Sequence, residues 1–227
     1  MSRYNSFMIE IHKLVRSKRK TLALIVEPDG TLTVRAPMRM KEADIWRFIE
    51  KKRDWIKRKQ ARAVEDAVTP HRFEEGETFW VLGEQIPLRL VPSQKPALVM
   101  DGAFKLTKSA QPQARSHFES WYKKQARQEL TGRVEVYARE MDILVRKLRI
   151  SSARTRWGSC SSKETLSFTW RLVMAPLEVI DYVVVHELCH LKELNHSKVF
   201  WAEVESVLPD YKRRRKWLKD NGKFLVL

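Results

Sequence analysis

The run His186-Glu187-Leu188-Cys189-His190, followed by His196, constrains local structure more tightly than any other part of the chain. Histidines four apart project from one face of an α-helix, so the first two can hold one metal ion together. Glu187 lies about 100° around the helix from His186, beside such an ion and free to act as a base. The preceding Val183-Val184-Val185 suits a buried helix. The chain must turn after His190 for His196 to face back, and Asn195 suits that turn as a left-handed cap. Catalytic zinc takes three protein ligands and leaves one position for water. His186, His190 and His196 would fill the protein positions. The water would then have a pKa near ~7, and Glu187 would accept its proton. Glu203 or Glu205 is the alternative third ligand. A structural zinc closed by Cys160 in a basic nucleic-acid-binding protein is a further reading. The His190-to-His196 spacing is that of metzincins, but Glu193 stands at the metzincin glycine and no methionine follows Met174.

Net charge over the 227 residues is +16, from 44 Lys and Arg against 28 Asp and Glu. That excess points to a polyanion or a phosphorylated molecule as partner, with the basic faces at 51–62 and 212–219 as surfaces for nucleic acid. The two cysteines, Cys160 and Cys189, cannot build a disulfide framework. No signal peptide and no membrane-length apolar run is visible. The expectation is a cytoplasmic protein without membrane contact.

The pattern predicts an α+β fold. Residues 1–110 read as a β-rich region with one amphipathic helix, and 111–227 as a zincin-like helical catalytic half with a small sheet. Strands are expected at Phe7–Val15, Thr21–Val26 and Leu32–Arg35, with a turn at Pro28-Asp29-Gly30. One helix spans Lys41–Glu65 by its apolar period. Further strands flank Gly83-Glu84 and Asp101-Gly102. A long helix follows Pro112, with a bend at Gly132. Leu144–Ser151 and Leu166–Val173 read as strands, joined by a polar loop that carries Arg154 and Arg156. Pro176 opens the motif helix, which runs to about Leu194. Ser197 caps the next helix. Lys212–Lys216 is a basic segment before a short tail.

Arg154-Thr-Arg-Trp-Gly-Ser-Cys-Ser, Trp170-Arg-Leu, Val185-His-Glu-Leu-Cys-His-Leu and Asn195-His-Ser-Lys-Val-Phe-Trp201 resemble the YgjP family of metal-dependent hydrolases. Its metallopeptidase-like core is related to the SprT and WLM zinc peptidases. The resemblance implies His186, His190 and His196 as ligands of zinc or another divalent transition metal, and Glu187 as catalytic acid/base. Two substrates stay open. A peptide would be cut at its carbonyl, held as an added strand along Leu166–Val173. A nucleoside triphosphate would be split to UMP and pyrophosphate, as some family members are described to do. Arg154, Arg156 and Arg171 would then bind phosphates. Arg156, Tyr182 and Tyr211 are the candidates for stabilising an oxyanion.

Overall fold

A computed structural model describes residues 9–27, 29–65, 70–161 and 163–227. Phe7 and Met8 of the first expected strand and Pro28 of the first turn lie outside the described residues. The chain divides into two compact units, residues 1–69 and 70–227. The fold is α+β throughout.

In the first unit, β1 (Lys13–Ser17), β2 (Ala23–Val26) and β3 (Leu32–Pro37) form a sheet in the order β1-β3-β2. β3 pairs parallel with β1 and antiparallel with β2. Its alternation is visible in burial: Leu32, Val34 and Ala36 are fully buried, whereas Arg35 is exposed. They share a core with Ile45 and Ile49 of α1 (Glu42–Lys51) and Ile56 of α2 (Arg53–Glu65). The single expected helix is therefore two. At Lys52 the N–H is shared between the Phe48 and Ile49 carbonyls, a tightened last turn that ends α1.

The second unit begins with β4 (Thr78–Val81), β5 (Glu84–Val91), β6 (Leu98–Asp101) and β7 (Ala103–Thr107), in the order β4-β5-β7-β6. Its inner face supplies Phe79 and Phe104, which pack on Phe118 of α3 (Ala114–Glu140) with ring centroids 4.3 and 4.7 Å apart. Tyr122, one turn further along α3, stacks on Trp170 at 5.7 Å and donates its hydroxyl to the Trp80 carbonyl at 2.8 Å. α3 runs unbroken past Gly132, so no bend forms there.

This aromatic core explains why the division falls at residues 69/70 and not near 110, where hairpins give way to helices. A second link is backbone. Leu82 and Gly83 both have positive φ, as a type I′ turn requires. Their N–H groups donate to the Val173 and Met174 carbonyls at 2.8 and 3.1 Å. A Cβ on Gly83 would stand 2.9 Å from the ring of Pro176, so only glycine fits.

The remaining strands are β8 (Lys147–Ser151), β9 (Gly158–Cys160) and β10 (Thr165–Thr169), in the order β8-β10-β9. Two departures from expectation occur here. The loop between the expected strands contains β9, and the second expected strand ends at Thr169, where a 3-10 turn (Trp170–Met174) leads toward Pro176. α4 (Leu177–Cys189), α5 (Lys198–Val207) and α6 (Tyr211–Asn221) complete the unit. α4 is buried on nearly every side, which accounts for its Val-rich composition.

One polar group lies inside this packing. Asp181 of α4 is 8% exposed and sits 3.2 Å from Nη1 of Arg133 on α3 and 4.0 Å from Nη1 of Arg214 on α6. Burial holds its carboxyl above the usual carboxylate range despite both arginines. Arg133 and Arg214 keep Glu129 and Asp210 as partners, so loss of the carboxylate removes hydrogen bonds without stranding a charge. Asp181→Ala is accordingly expected to cost about 1 kcal/mol of stability. Urea unfolding would read this; an unchanged midpoint would show that the three helices do not depend on the network.

Candidate metal centre

α4 ends at Cys189, earlier than the expected Leu194, with His190 as its C-cap. The chain reverses through N–H bonds from Leu191 to the Leu188 carbonyl and from Lys192 and Glu193 to that of Cys189. Asn195 is not left-handed, so this turn does the work expected of it. Ser197 then caps α5, its hydroxyl accepting the Phe200 N–H at 3.2 Å. The reversal brings His196 back to the helix. Nε2 of His196 stands 3.0 Å from Nε2 of His186, and one ligand atom from each of His186, His190 and His196 lies within 4.8 Å of the others. The buried ring of Phe200 packs against all three imidazoles, with centroids 4.9, 4.6 and 4.8 Å away.

Among the described residues this is the one cluster of histidine, cysteine or carboxylate groups able to hold a metal. Cys160 is not in it. Glu203 and Glu205 are taken by Lys192 at 2.7 Å and Lys212 at 3.1 Å.

The donor set fits a divalent transition metal on three counts. Nδ1 of His190 faces the Glu193 carbonyl at 3.1 Å, which favours a proton there and leaves Nε2 as a lone-pair donor. Burial first, then His190, His196 and Arg215, pushes His186 down to about 3, so it is neutral, as a ligand must be. Finally, Nε2 of His186 and Nε2 of His196 stand 3.0 Å apart, close to the spacing of two donors on one tetrahedral ion.

Glu187 is 6% exposed and points into the sheet side of the helix. Its carboxylate accepts the Cys160 N–H, and burial pushes it up to about 7 against the pull of that bond and of Arg156. The residue that makes room is Gly158. A Cβ there would stand 2.5 Å from Oε1, 2.6 Å from Cγ and 2.8 Å from Cδ of Glu187.

A family profile described as "YgjP-like, metallopeptidase domain" matches residues 20–221. The chain belongs to the YgjP-like family. It is a metal-dependent hydrolase by that membership. Among solved structures, the metallopeptidase zymogen abylysin of Pyrococcus abyssi matches at 26% identity with a TM-score of 0.37, covering 40% of this chain and 93% of that one. No curated protein matches. Among the described residues, no helix is long and apolar enough to cross a membrane.

In this YgjP-like chain the three forward arginines separate. Arg156 is exposed, and its charge acts on Glu187. Arg171 lies flat on Trp170 at 4.2 Å and donates to the Ser152 and Ala153 carbonyls at 3.2 and 3.5 Å. With Thr169, which donates to the Ala153 carbonyl at 2.8 Å, it braces the loop that carries the other two. Arg154 is exposed, and its charge acts on Arg171. Tyr182 lies one turn before His186, with ring centroids 5.8 Å apart, and burial pushes its hydroxyl up to about 12. Trp201 and Arg215 were not singled out in the sequence. Trp201 stacks on His196 at 5.6 Å, and Tyr211 stacks on Trp201 at 5.3 Å.

His196→Ala is expected to weaken metal affinity by two orders of magnitude or more, since two ligands remain on the helix. Metal content after dialysis against a weak chelator measures this. Retention of one ion per chain would remove His196 from the ligand set.

Proposed function

We propose that the protein is a zinc-dependent hydrolase of peptide bonds in which Glu187 is the general base. The observation that carries this is the placement of one buried carboxylate, with a pKa raised to about 7, on the same helix as His186 and His190 and against the edge strand β9. Zinc held by His186, His190 and His196 would supply an acidified water and polarise the attacked oxygen. Glu187 takes a proton from the attacking water on its carboxylate. A group poised near pH 7 can both accept that proton and release it to the leaving amine. The Cys160 N–H orients the carboxylate, and Gly158 allows it close to the strand.

An extended peptide would pair with β9. β10, proposed for this role from sequence, is the central strand and has no free edge. On β9 the backbone groups of Trp157 and Ser161 bond to β10, so those of Gly158 and Cys160 face the Glu187 side. A peptide added along this edge would place its carbonyls beside the site.

Nucleotide pyrophosphohydrolysis by the same centre is a second reading, favoured by the position of Arg156 near Glu187. Zinc-loaded protein should be offered an unfolded protein and, separately, nucleoside triphosphates, with chelator-treated protein as the blank. Zinc-restored peptide cleavage is the expected result. Pyrophosphate release without cleavage would replace this reading with the second, and neither product would overturn both.

A further inference from the structure

Five consecutive cations, Lys212 to Lys216, open α6. Four are matched by carboxylates: Lys212 by Glu205, Arg213 by Glu178 and Asp210, Arg214 by Asp210, and Lys216 by Asp220. Arg215 is the exception. Among the described residues it has no carboxylate within ion-pair distance, and its guanidinium lies 4.8 Å over the ring of Trp201. That ring is also stacked on His196, so the cation and the histidine cluster share one aromatic neighbour. Its charge acts on His186, His196 and Tyr182.

A lone cation beside a centre built for a divalent cation is electrostatically unfavourable. Arg156, whose charge acts on Glu187, adds a second cation near the same centre. Such an excess persists where a negatively charged ligand completes the site. The guanidinium rests over the aromatic ring and is exposed, so its N–H groups are open to a bidentate anion.

We propose that Arg215, held on Trp201, receives an anionic group of the substrate, a carboxylate or a phosphate, next to the histidine cluster. This rests on the hydrolase reading and adds the substrate's charge to it. A peptidase so equipped selects peptides with a carboxylate close to the scissile bond.

The test is calorimetric binding to zinc-loaded full-length protein carrying Glu187→Gln, so that no ligand is consumed. The ligands are inorganic phosphate, a short N-acetylated peptide with a free C-terminus, and the same peptide as its C-terminal amide. Arg215→Gln should weaken binding of at least one anion about tenfold or more, Arg215→Lys by less, and Lys219→Gln not at all. The anion that loses most identifies the source of the charge. The amide should be unaffected and zinc content unchanged. Equal affinity with and without Arg215, an equal loss for the amide, or no anion binding to the parent protein would each overturn the proposal. Failure of the hydrolase reading shows elsewhere, as zinc-loaded protein without turnover.

Discussion

Glu187→Gln is expected to lower kcat by about 10³-fold while one metal ion per chain is retained. Glutamine has the same shape and can still accept the Cys160 N–H, so the geometry around His186 and His190 survives. What is lost is the ability to take and return a proton. A second readout makes the result specific. Burial raises the proton affinity of Glu187, so the ionised carboxylate is costly to the metal-free fold. The neutral glutamine lacks this cost. The metal-free variant should therefore melt at a temperature equal to or above that of the parent chain at pH 8. Lost activity with a lower melting temperature would point to damage instead of a missing base. Full activity with zinc bound would end the general-base assignment.

Gly158→Ala is expected to reduce kcat about 10²-fold through the same carboxylate, without touching it chemically. The added methyl would overlap three atoms of the Glu187 side chain. That side chain can move, so the fold tolerates the change, but the carboxylate would be displaced by about an ångström from its working position. Misplacement on that scale costs roughly 10² in rate. Zinc affinity should stay within a factor of a few, because the three atoms nearest the added methyl all belong to Glu187 and none to a histidine. The combination of normal metal content, normal melting temperature and depressed kcat separates this from a folding defect. Unchanged kcat would mean that the carboxylate position is not critical. The double variant with Glu187→Gln should be no worse than Glu187→Gln alone, since both act on one group.

The helical spacing of His186 and His190, the return of His196 and the Ser197 cap were legible because each depends on residues within a dozen positions of one another. Gly158 was not. Its importance comes from a contact with Glu187 across 29 positions of chain, and the tripeptide Gly158-Ser159-Cys160 is too short to register as a strand by alternation. The Asp181 network was hidden for the same reason, since its arginines lie on α3 and α6. α6 itself read only as a basic segment before a short tail. It is held by Tyr211 and Leu218, which are buried in the core, and its arginines pair with Asp210 and with Glu178 of α4. The boundary expected near residue 110 followed a change in local pattern. Cores ignore such changes, and the phenyl rings of Phe79, Phe104 and Phe118 cross it. The extra cation at Arg215 could be recognised only after its four neighbours had been matched to their partners.

The three imidazoles are not equivalent in how they are anchored. His186 and His190 ride at the end of a helix whose apolar residues are buried in the core, so their backbone can open only when the whole unit opens. His196 is exposed and reaches the site from a short reversal outside any helix. A metal held by these three residues would therefore have its own doorway. Its release would begin with the His196 segment lifting away, a local opening that costs less than unfolding the unit. Amide exchange at residues 191–197 would report the rate of that opening, and a bound substrate that bridges to α6 would slow it by holding the segment down.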